Sequence, residues 1–75
     1  MNKYIVVCFS IHEQDFSTYE SFEIENEAYE YMDTKAESMY EDMIKTYSKG
    51  DLTISGDTAH LLVNSYHWVW KVFKV

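Results

Sequence analysis

One stretch, residues 26–49, constrains the fold more than any other. Tyr29, Met32, Ala36, Met39, Tyr40, Met43 and Tyr47 recur there at steps of three and four. At about 100° per residue they fall on one stripe of an α-helix. Asn26 is the expected N-cap, since its side-chain oxygen can accept from an unpaired N–H of the first turn. Glu25 and Glu27 place negative charge at the positive end of the helix dipole, and Lys45 and Lys49 place positive charge at the other end. Gly50 supplies a residue suited to a left-handed stop.

A helix with such a stripe must bury it, and the flanking segments read as strands. In 3–11, Ile5, Val7, Phe9 and Ile11 alternate with Tyr4, Val6, Cys8 and Ser10. Both sets are largely apolar, which predicts a central strand covered at least in part on both faces. His12-Glu13-Gln14-Asp15 is a polar break. A second strand follows at 16–24, with Phe22 and Ile24 on one face. So short a connection predicts an antiparallel hairpin over 3–24.

Past Gly50 the chain returns to the sheet. A short strand is expected at 51–55, with Leu52 and Ile54 facing inward, then a turn at Gly56-Asp57. A strand at 58–63, a tight turn at Asn64-Ser65 and a strand at 66–75 complete the C-terminal segment, 51–75. A two-residue loop pairs Val63 with Tyr66, Leu61 with Trp68 and Ala59 with Trp70. That register sorts Ala59, Leu61, Val63, Tyr66, Trp68, Trp70 and Val72 onto one face. His60, Leu62, His67, Val69, Lys71 and Phe73 take the other. A three-residue loop mixes the faces, so the apolar pattern selects the even loop.

The expected fold class is therefore α+β. A β-β-α-β-β chain packs one long helix on a four-stranded, mainly antiparallel sheet, with 51–55 as a small addition, in a single domain over 1–75. One helix covers one sheet face. Val6 and Cys8, with Leu62, Val69 and Phe73, are expected to form an apolar patch on the other face, which predicts a homodimer or a partner surface.

A chain of 75 residues buries only about 60–65% of its unfolded surface, which leaves a small core. Two tryptophans, four phenylalanines and seven tyrosines compensate through their large area. The net charge of −7 argues against direct nucleic-acid binding and against anionic membranes, and it favours basic partners. The aromatics and lysines of 66–74 outline a stacking platform, but the tryptophans fall on the core face. Cys8 is the only cysteine and lies in an apolar strand, which fits a reducing cytoplasm. The apolar run from Tyr4 to Ile11 lacks a small-residue cleavage site and is followed at once by His12, Glu13 and Asp15. No apolar run approaches the roughly 20 residues that span a bilayer, and the expectation is a soluble intracellular protein.

No catalytic residue, cofactor or metal site is expected. His60 and His67 share a face in a diagonal relation, but their spacing matches no zinc pattern and nothing draws His12 to them. Cys8 has no adjacent base in sequence, and burial raises a thiol pKa. No serine sits in a nucleophile elbow. Acid–base work by carboxylates needs a pocket that separates their pKa values, and a solvated helix flank does not supply one.

The acidic residues of the helix are the candidate site. Glu30, Asp33, Glu37 and Glu41 lie along one flank, and Glu27 and Asp42 widen the surface. From Glu30 to Glu37 the helix rises about 10 Å, and from Glu37 to Glu41 about 6 Å. A phosphate backbone carries one charge per roughly 3.4 Å of axis on each strand. In size and acidity the chain is similar to the anti-restriction and anti-CRISPR proteins of phages, many of which mimic DNA or block a groove. The likeness is one of type, and no motif carries it. It implies an inhibitor or adaptor that binds another protein with a basic surface. The competing expectation is a regulatory subunit that docks or dimerises through its sheet.

Overall fold

The computed structural model describes residues 3–75, less the side chains of Ser17, Thr18 and Tyr19. Its elements are β1 (Tyr4–Ser10), β2 (Asp15–Phe22), α1 (Glu25–Tyr47), β3 (Asp51–Ser55), β4 (Thr58–Val63) and β5 (Tyr66–Lys74). The fold is α+β, with one helix on an antiparallel sheet. The sheet has five strands rather than four, in the order β2-β1-β5-β4-β3. The segment 51–55 is a full strand, paired from Asp51↔Leu62 to Ser55↔Thr58. Only Leu52 and Ile54 on it are apolar, so it read as an accessory. As an edge strand it needs only one hydrogen-bonded neighbour.

The topology fixes the path of the helix. β2 and β3 are opposite edges of the sheet, and α1 joins them. Its 23 residues, about 34 Å long, cross one face and touch all five strands. The stripe packs as expected, with Met32 and Ala36 fully buried and Tyr29, Met39, Tyr40 and Met43 against the core. Ala28 joins it, and Tyr47 stays exposed.

Both helix ends differ from expectation. The N-cap is Ile24, in extended backbone (φ −111°, ψ 125°), with no side-chain cap. Asn26 lies inside the first turn, two residues past the cap position. The left-handed stop is Ser48 (φ 66°), whose N–H donates to the Ile44 carbonyl at 2.8 Å. Gly50 serves packing instead: a Cβ built there falls 2.6 Å from Val63 Cγ2.

The β4–β5 register is the even one, Val63↔Tyr66, Leu61↔Trp68 and Ala59↔Trp70. Asn64 makes the two-residue turn possible by taking φ 56°. β1 then docks on β5 with Val6↔Val72 and Cys8↔Trp70. This places Val6 and Cys8 beneath the helix, both fully buried, and corrects their assignment to the open face. The reason is steric. Beside Trp70 and under a helix presenting Ala28, Met32 and Ala36 there is room for Val6 and Cys8, while the larger Ile5 and Phe9 turn outward.

Candidate functional site

Two surfaces emerge on opposite sides of the sheet. The first is the outward side of α1. At about 100° per residue, Glu30, Asp33, Glu37 and Glu41 fall within about 80° of arc, spread over about 16 Å of helix axis. Glu27 sits at the margin of that arc. Glu27, Glu30, Glu37 and Glu41 are exposed and Asp33 is half-buried. Among the described residues none of these five forms an ion pair. Asp42 is different. It lies about 100° on from Glu41, and its carboxylate is 4.0 Å from the Lys45 ammonium, with both side chains largely exposed. Lys35 lies on the far flank, its Nζ 5.4 Å from the centre of the Tyr31 ring. The structure thus gathers five of the six acidic candidates and sets Asp42 apart.

The second surface is the uncovered sheet face. Leu62, Val69 and Phe73 lie on it, as the hairpin register requires; Leu62 and Phe73 are 47% and 46% exposed. Ile5, Val7 and Phe9 take the places expected of Val6 and Cys8. Phe16 joins them through an irregularity between Cys8 and Phe9 that sets Phe16 opposite Phe9, with ring centres 5.2 Å apart. The outward set of β1 was visible in the alternation. The shift that recruits Phe16 left no signal in the sequence.

Within the strands, Lys71 is the lysine of this face. Lys71 Nζ donates to Asp57 Oδ2 at 3.0 Å, and Thr58 Oγ1 donates to the other oxygen at 3.0 Å. The Lys71 hydrogen bond, followed by that of Thr58, holds the Asp57 carboxyl below its ordinary range.

The histidines divide between the faces. His60 Nδ1 and His67 Nε2 stand 3.4 Å apart, in the expected diagonal relation on the open face. His12 packs against the backbone of β5 and its ring does not join the pair. The His67 backbone N–H donates to His12 Nδ1 at 3.0 Å, and the His12 ring meets Tyr66 and Trp68 edge-on. His12 Nε2 lies 3.4 Å from Glu13 Oε1. His12 thus seals the end of β5, and its ring lies on the side away from the other two. Among the described residues no group of three or more His, Cys, Asp or Glu side chains gathers to hold a metal ion.

A shallow depression of about 330 Å³ lies between Tyr47, Lys49, Gly50, Asp51, Leu62 and Asn64. It is open to solvent, and Tyr47, Lys49 and Asp51 are its titratable lining residues. Among the described residues no helix is long and apolar enough to cross a membrane. Compared with protein-family models, curated proteins and solved structures, the chain finds no match.

Proposed function

We propose that the chain is a protein-binding inhibitor or adaptor. It presents the outer face of α1 to a basic, nucleic-acid-binding groove on its target, in the manner of a phage anti-defence protein. The observation that supports this reading is the arc of Glu30, Asp33, Glu37 and Glu41, exposed or half-buried and without ion pairs among the described residues. Asp33–Glu37 and Glu37–Glu41 are like-charge pairs at i, i+4, each destabilising by a few tenths of a kcal/mol in an isolated helix. Such a helix is held together by its packing, and a basic groove turns the repulsion into attraction. Because α1 is anchored across five strands, little ordering entropy opposes binding.

Charge reversal tests the proposal. Glu37→Lys with Glu41→Lys should abolish binding to a basic nucleic-acid-processing protein and leave the fold intact. A target retained with equal affinity by the double variant rules the acidic face out.

A further inference from the structure

We infer that the uncovered sheet face is a self-association surface, and that its occupant is a second copy of this chain packed sheet to sheet. Three observations carry this. The first is composition. Val7, Val69, Phe9, Phe73, Leu62 and Phe16 share the face, and the last three are 46%, 47% and 67% exposed. His60, His67 and Lys71 interrupt this set, but exposed apolar side chains gathered on one uncovered face still point to an interface.

The second is area. Five strands of five to nine residues, at about 4.8 Å between strands and about 3.4 Å per residue, make a plane of about 24 Å by 24 Å. Two such planes cover about 1,100 Å² before side-chain relief adds to it. That clears the roughly 1,000 Å² minimum of a biological interface, and side-chain relief brings it toward the roughly 1,200–2,000 Å² of stable ones.

The third is charge. The chain carries −7, so two copies repel wherever their acidic surfaces meet. Seven of its thirteen acidic residues lie on α1, behind the sheet. On the open face Lys71 is already neutralised by Asp57, and Asp51 stands at the β3 edge. With sheets about 10 Å apart and a helix layer about 10 Å outside each, the two acidic helices lie about 30 Å from each other. That is more than three screening lengths at physiological salt. The open face is therefore where a second acidic copy fits, and the geometry leaves both acidic helix faces outward.

The test is the solution mass of the full chain by sedimentation equilibrium, at rising concentration and at low and high salt. The wild type should reach twice 9.0 kDa and hold it in high salt, as apolar burial does. Val69→Asp should be monomeric. Leu62→Lys, at an exposed position that the fold tolerates, should raise the dimer dissociation constant roughly tenfold or more, with an unchanged circular dichroism spectrum. Glu37→Lys with Glu41→Lys should dimerise like the wild type. A wild type that stays at 9.0 kDa at high micromolar concentration overturns the inference and leaves the face to a different chain. A folded Leu62→Lys that dimerises as tightly as the wild type overturns it too.

Discussion

Gly50 lies against Val63 so closely that a single added carbon would fall 2.6 Å from the valine Cγ2. Val63 is fully buried in the core, so it has nowhere to retreat. Gly50→Ala should therefore destabilise the fold by about 1–3 kcal/mol, as overpacking does. Combining it with Val63→Ala should cost less than the two changes summed, because the second makes room for the first. Urea denaturation of the four proteins measures both effects.

Gly56 gives the contrast. A Cβ there meets nothing within 4 Å, but its φ is +58°. Gly56→Ala should cost about 1–2 kcal/mol through backbone conformation alone. Gly56→Asn, which tolerates the left-handed region, should cost clearly less. The same denaturation curves decide it.

Ile24 caps α1 with an exposed apolar side chain and leaves the first-turn N–H groups without a side-chain acceptor. Its backbone is already extended, as an N-cap requires. Ile24→Asp should stabilise the protein by about 1 kcal/mol, through the cap and the dipole together. A lower melting temperature in the variant would show instead that the isoleucine packs usefully where it stands.

Asp57 on the acid side, and Tyr29, Tyr31 and Tyr47 on the alkaline side, tie stability to pH in opposite directions. Asp57, held below its ordinary 3.8 by Lys71 and then Thr58, binds its proton more weakly when folded. Its contribution is present above pH 3.8 and is lost as pH falls through the folded value. Tyr47 is raised above its ordinary 10.0, first by the neighbouring Tyr66 hydroxyl and then by desolvation. Its contribution is present below pH 10.0 and is lost as pH rises through the folded value. Lys71→Met should make the acid limb of the stability–pH curve shallower, and Tyr66→Phe should reduce the alkaline limb without removing it, since burial also raises Tyr29 and Tyr31. Thermal melts across pH read each limb separately.

What the sequence made legible follows from where its patterns are unambiguous. The β4–β5 hairpin was readable because loop parity and the contrast between Trp68, Trp70 and Leu61 on one side and His60, His67 and Lys71 on the other select one register. β1 was not, because both of its faces are apolar and only docking beside Trp70 chooses between them. The helix stripe was clear. Its ends were not, since Asn26 and Gly50 are good terminal residues that the tertiary path places two residues inside and two beyond the actual caps. The acidic arc followed directly from helical spacing. Phe16 reaches the open face through a register shift, which no local pattern encodes.

Reversing Glu37 and Glu41 exchanges some unfavourable i, i+4 pairs for others on an exposed helix side. Stability should change by no more than about 0.5 kcal/mol. A loss of binding in this variant therefore reports on the surface and not on the fold.

The measurement closest to the central claim is capture of partners from a bacterial lysate on the immobilised chain, eluted by a salt gradient. The wild type and the Glu37→Lys, Glu41→Lys variant run side by side, and each eluted protein is tested for nucleic-acid binding with and without the chain. The account predicts a basic nucleic-acid-binding protein that elutes only at high salt, is lost with the variant, and releases its nucleic acid when the wild-type chain is added. A partner that survives both high salt and charge reversal, or that keeps its nucleic acid in the presence of the chain, contradicts it.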